Sequence, residues 1–137
     1  MAQIEYPTPA GLVASPAFSH VAVVPPGATT ILVGGQNAVD AEGALVGEGD
    51  VAAQVEQVMA NIVTALAAAD ASMADVVSMT VALVDGVDID AAYGAAAASI
   101  PTDRPAPLVT AAFVPALGVP GALVEVSALA AVVRDPA

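Results

Sequence analysis

Between Pro105 and Val124 the chain runs for 20 residues without a charge, yet four prolines and two glycines interrupt the run. A membrane-spanning segment must satisfy its own backbone. Proline removes a donor and clashes with the preceding turn, so this run cannot be one continuous helix. The same tension holds throughout: 58% of the residues are hydrophobic and 12% charged, while 11 glycines and 11 prolines cut the chain into short pieces. Such a chain has to bury its apolar surface by packing short strands and helices. With 137 residues and no break in composition, it fits a single domain spanning residues 1–137 with a real core. The start, MAQIEYPTPAG, lacks the cationic stretch and apolar block of a signal peptide, so no membrane partner and a cytoplasmic location are expected.

Charge and composition remove several function classes. A net charge of -12 repels phosphate backbones and no basic patch offsets it, so no nucleic-acid partner is expected. There is no cysteine and no lysine, which excludes thiolate nucleophiles, disulfides and Schiff bases. One histidine, His20, cannot build a multi-histidine metal site. Asp85, Asp88 and Asp90 read as a turn and a helix cap rather than a calcium loop, so no metal and no cofactor are expected.

Residues 1–17 form a Pro-, Ala- and Ser-rich irregular lead-in. The β-branched runs Phe18 to Val24 and Thr29 to Val33, with Pro25-Pro26-Gly27-Ala28 between them, predict a hairpin that Gly34-Gly35 ends. Residues 37–49 read mostly as loop. Asp50 caps a helix in which Val51, Val55, Val58, Met59, Ile62, Val63 and Leu66 share one apolar face. A strand over Val76 to Val84, a turn at Asp85-Gly86, an alanine-rich helix from Asp88 to about Ser99, and strands near Leu108 to Val114 and Leu123 to Val133 follow. The order ββαβαββ predicts an α+β fold, two helices laid on one face of a mixed sheet. In the last strand Val124, Val126, Ala128 and Val132 point one way and Leu123, Leu129 and Val133 the other, so neither sheet face reads as solvated and one remains to be covered. The second face implies an obligate oligomer.

Several short strings, in this order, resemble the Rid family, also called YjgF, the reactive intermediate deaminases. They are Phe18-Ser19-His20, Gly34-Gly35-Gln36, Gly47-Glu48-Gly49-Asp50 with Gln54 and Asn61, Asp75-Val76-Val77 leading to Thr80-Val81, Arg104-Pro105-Ala106, and Ala122-Leu123-Val124-Glu125-Val126. No one string is specific, but the resemblance covers Phe18 to Val133. It implies a chorismate-mutase-like fold and a homotrimer whose sheets form a central barrel, with small-molecule clefts between subunits. In active members, such clefts hydrolyse reactive imines and enamines to a 2-keto acid and ammonia without a cofactor. A guanidinium holds the substrate carboxylate and a glutamate handles water.

Carried over residue by residue, the resemblance assigns Glu125 the catalytic role, and Phe18, Gly34, Gly35, Asp90, Arg104 and Pro107 the substrate-binding positions. The family pattern Arg-Pro-Ala-Arg reads here Arg104-Pro105-Ala106-Pro107, so a proline replaces the carboxylate-binding arginine. Phe18 keeps the ring of the usual tyrosine without its hydroxyl, Gly34 stands for a serine, and Asp90 for an asparagine. Phe113 to Gly121 forms a longer loop than in typical members.

Glu125, between Val124 and Val126, is costly to bury without purpose and is expected to line the cleft. Arg104 reads either as a loop cation paired with Asp103 or as a clamp reaching the cleft from its rim. His20 reads as structural, and a Ser19-His20 dyad is excluded because adjacent strand residues face opposite ways. Two functions follow: a deaminase of altered specificity, or a trimer that binds a small metabolite without turning it over. A ribonuclease role conflicts with the charge.

Overall fold

The structure is a computed structural model and describes residues 3–134. Its elements are β1 (Thr29–Gln36), α1 (Val51–Ala67), a 3₁₀ turn (Met73–Asp75), β2 (Val76–Val84), α2 (Ile89–Ala97), β3 (Leu108–Val114) and β4 (Val124–Val132). The four strands form one sheet in the order β1-β4-β2-β3. β4 pairs antiparallel with both β1 and β2, whereas β2 and β3 pair in parallel, Ser78 to Val84 against Leu108 to Val114. β1, β2 and β3 therefore run the same way. Each parallel step is bridged by a helix, as a parallel connection requires, and β4 returns through the middle. The α+β architecture is as the sequence predicts.

The sequence places α1 for physical reasons that the structure repeats. The Asp50 carboxylate accepts from the Ala53 N–H at 3.1 Å, capping the helix start. Val55, Val58, Met59, Ile62 and Leu66 are buried against the sheet, each contributing about 1.5 to 3 kcal/mol. Val63, expected on that face, is 43% exposed, and Gln54 takes a fully buried place instead. The α2 cap is Asp88, which accepts from the Asp90 and Ala91 N–H groups.

Two expectations need correction. The hairpin does not form: within Phe18 to Val24 only Val23 bridges, and its partner is Glu5. The turn itself is present, with Ala28 N–H reaching Pro25 C=O and Gly27 at φ +84°. The first arm is drawn elsewhere, because Ser19 donates its N–H to Pro107 C=O at 3.2 Å and its hydroxyl to Ala106 C=O at 2.5 Å. That ties the lead-in to the start of β3. Nor do Gly34 and Gly35 end β1. The strand continues to Gln36, and a register shift between Val33 and Gln36 accommodates the glycines.

The sheet face away from the helices is also less apolar than expected. A shallow groove there is lined by Ser78, Thr80 and Ser127 beside Leu32 and Leu129, and Leu32 is 75% exposed. Both arginines of the chain grip one turn. Arg134 donates to the carbonyls of Ala69 and Asp70, just past α1, and Arg104 donates to Ala74 C=O. Residues 69–75 are thus clasped from two sides.

Candidate functional site

Glu125 sits near the start of β4, opposite Ala82 of β2. The room for its side chain comes from the glycines of β1. A Cβ on Gly35 would stand 2.9 Å from the Glu125 Cδ, closer than real Cβ contacts come, and a tight 3.1 Å from Oε1. Gly34, by contrast, has open space where a side chain would be. The register shift in β1 therefore seats a carboxylate against bare backbone, and only the second glycine is needed for it. Neither the alternation of β4 nor the double glycine reveals this by itself; the link appears only when β1 and β4 are paired.

The remaining candidates fall into two groups. β1, β2 and β3 are parallel, so their carboxyl ends lie at one edge of the molecule, together with the start of β4 and the start of α2. Gly34, Gly35, Glu125 and the exposed Asp90 are all at that end. Phe18 and Pro107 are at the opposite end: Pro107 immediately precedes β3, is buried, and accepts from Ser19 beside Phe18. Glu125 is level with Ala82 and hence with Ala112, five residues along β3 from Pro107 and two strands across. Strand geometry puts the two positions roughly 19 Å apart. A single chain does not bring them together.

Arg104 lies three residues before Pro107. Its Nη1 donates to Ala74 C=O at 3.0 Å, and its Nε is 3.5 Å from the Asp103 carboxylate. His20 holds Val13 C=O through Nε2 at 2.6 Å and packs edge-on against Phe18, with ring centroids 5.2 Å apart. Tyr6 also belongs to this end. Burial pushes its hydroxyl above the ordinary 10.0, and the nearby Arg104 guanidinium pulls it part of the way back. A raised pKa in the folded state means that the unfolded chain loses this proton first as pH rises. The stabilisation is complete below about pH 10 and is lost above it. Urea unfolding followed across the alkaline range should show stability falling from about pH 10 upward, and Tyr6→Phe should flatten part of that fall.

The conspicuous polar residues elsewhere are braces. Asn61 donates to the carbonyls of Asn37 and Val39 and accepts from Gln57, and Asn37 donates to Val124 C=O. Gln54 bridges Gly47, Gly121 and Leu123. Gln54 and Asn61 thus secure the 37–49 and 121–123 loops on α1. Among the described residues, no group of three His, Asp or Glu could hold a metal ion, and no helix is long and apolar enough to cross a membrane.

Comparison with known proteins agrees with this architecture. Among solved structures, a Yersinia pestis protein of unknown function, YyfB of the conserved Rid family, is 30% identical. The match covers 93% of this chain and 97% of that one, with a TM-score of 0.80. RidA from the Antarctic bacterium Psychrobacter is 31% identical over 75% of this chain and 84% of its own, with a TM-score of 0.66. A Mycobacterium tuberculosis member of the YjgF family is 27% identical over 83% and 86%, with a TM-score of 0.62. No curated protein matches the chain. The family model described as Endoribonuclease L-PSP matches residues 9–132, nearly the whole chain, and with these Rid and YjgF relatives it establishes that the chain belongs to the Rid/YjgF family.

Proposed function

We propose that the chain assembles as a homotrimer with small-molecule clefts between subunits, in which Glu125 directs water at a reactive imine or enamine. The observation that carries this reading is the seat of Glu125: a strand carboxylate on the uncovered sheet face, held against Gly35 where no side chain intervenes. The carboxylate is partly exposed on that face, within reach of a ligand and of water. The separation of Glu125 from Pro107 supports the assembly, since only a second copy can close a cleft that draws on both ends.

The chemistry needs one base. An enamine tautomerises to its imine, and Glu125 accepts a proton from water as the water oxygen bonds to the imine carbon. Glu125 returns that proton to the nitrogen to complete the carbinolamine, whose hydroxyl proton then passes to the nitrogen as the C–N bond breaks, so that ammonia leaves and a carbonyl compound remains. Water and imine thus give ketone and ammonia in balance.

Specificity differs from that of a carboxylate-clamping enzyme. Pro107 offers no guanidinium, and a charge of -12 per chain opposes anionic ligands. The cleft therefore favours small imines of low charge over iminopyruvate-type anions. Losing a bidentate charged contact weakens the anion by about 1.5 to 3 kcal/mol, or roughly ten- to hundredfold. The second reading, a trimer that binds a metabolite without turnover, draws on the buried state of Pro107, whose carbonyl is engaged by Ser19.

Light scattering should give about three times 13.2 kDa at micromolar protein. Ammonia release should then be followed with a neutral imine and with the 2-aminoacrylate-derived imine generated in place. Turnover of the neutral imine above that of the anion supports the deaminase. Saturable binding without ammonia selects the second reading, and a dispersed monomer contradicts both.

A further inference from the structure

On the helix-covered side of the sheet, away from Glu125, lies a cavity of 940 Å³. Its origin is legible in α2. The inward face of α2 carries Ala92 and Ala96, side chains too short to fill the gap to β2 and β3, with the exposed Ala97 at the rim. The irregular lead-in covers this gap from outside, pinned by the Glu5 to Val23 bridge and by the Ser19 bonds to Ala106 and Pro107. Native interiors are close-packed, so a gap of this size under a loop cover is a space for something else.

The walls say what. Tyr6, Phe18 and Tyr93, three of the four aromatic residues in the chain, line the cavity together with Met59 and Met79. Aromatic faces and thioethers suit a flat apolar body. At the mouth, Arg104 contributes its guanidinium beside Tyr6. One nitrogen of that guanidinium serves Ala74 C=O, and the contact with Asp103 is long and lies in solvent, with the Asp103 side chain 79% exposed. Donors thus remain for an anion, and such an exposed pair is weak.

We infer that this cavity is a binding site for a small aromatic carboxylic acid, its ring system between α2 and the sheet and its carboxylate at Arg104. Phe18 and Arg104 belong to this site; Gly35, Asp90 and Glu125 do not line it. The inference does not depend on the deaminase reading.

The probe is 2-naphthaleneacetate, with 2-naphthaleneacetamide as its uncharged match, and the observable is the methyl resonance of each methionine in the full chain. The acid should shift Met59 and Met79, and leave in place Met73, which does not line the cavity. Arg104→Gln should weaken the acid about tenfold and leave the amide unchanged, as expected for one charge-assisted contact. Ala96→Phe should abolish both while the melting temperature stays at or above that of the wild type, because it fills space. Glu125→Gln should leave both affinities unaltered. The assignment is overturned if millimolar acid moves neither methyl, if acid and amide bind wild-type protein equally, or if Glu125→Gln is the variant that removes binding.

Discussion

Replacing Gln54 with leucine should lower the unfolding free energy by about 3 kcal/mol, a large part of the total for a domain of this size. Gln54 is wholly buried in α1, and its amide serves three backbone groups: Nε2 donates to the carbonyls of Gly47 and Gly121 at 3.1 Å, and Oε1 accepts from Leu123 N–H at 2.8 Å. Leucine nearly matches the volume, so the loss is not a cavity. It is the desolvation of the Leu123 N–H and the Gly121 carbonyl left without a partner, each worth about 1 to 3 kcal/mol, together with one of the two bonds to the Gly47 carbonyl, which Asp50 N–H continues to serve. The melting temperature should fall by roughly 10 °C, as the entropy of unfolding for this length implies. A change under about 1 kcal/mol would show that the Gly121 carbonyl and the Leu123 N–H find other partners. The Gly47 carbonyl already has a second donor in Asp50 N–H at 2.9 Å, so the loss should fall on Gly121 and Leu123.

Gln54 also shows where sequence reasoning stops. The periodic apolar positions fix α1, its cap and its buried face, and the alternation of Val77, Met79, Val81 and Leu83 with Ser78, Thr80 and Ala82 fixes β2, because these signals are local. An amide inside that face carries no local signal. It is justified only by the two loops it holds, 7 and 67 residues away. The hairpin failed for a related reason. Phe18 to Val24 has strand composition and a true turn after it, but β1 pairs with β4, and Ser19 is claimed by the start of β3. Which partner a strand-like run takes is decided by long-range pairing, to which composition is blind.

The site divides in the same way. Glu125 was legible because an acidic residue between valines on a strand invites a reason. Its dependence on Gly35 was not, since the two are 90 residues apart and meet only across a shifted register. Pro107 was legible as a departure from a pattern, but its distance from Glu125 follows only from the strand order. The cavity under α2 was invisible, because an alanine-rich helix reads as a good helix whether or not anything packs against it.

Glu125→Gln should lower the rate of imine hydrolysis by about 10²- to 10⁴-fold, the usual worth of a positioned general base, while trimer mass and melting temperature hold. Glutamine preserves shape and removes only the ability to take a proton from water, so the loss should fall on kcat rather than KM. The glycines supply a sharper test. Gly34→Ser should be nearly silent, because nothing lies within 4 Å of the new Cβ. Gly35→Ala places a Cβ 2.9 Å from the Glu125 Cδ, but that atom is near the end of a flexible side chain. The glutamate can rotate away, so stability should change by less than about 1 kcal/mol while the carboxylate is displaced. Misplacing a reacting group by an ångström can cost on the order of a hundredfold, so Gly35→Ala should lose activity out of proportion to its stability. Were Gly35→Ala and Gly34→Ser equally active, the carboxylate would not be working from its seat on β1. The water-handling role of Glu125 would then be wrong even if the trimer and its turnover were confirmed.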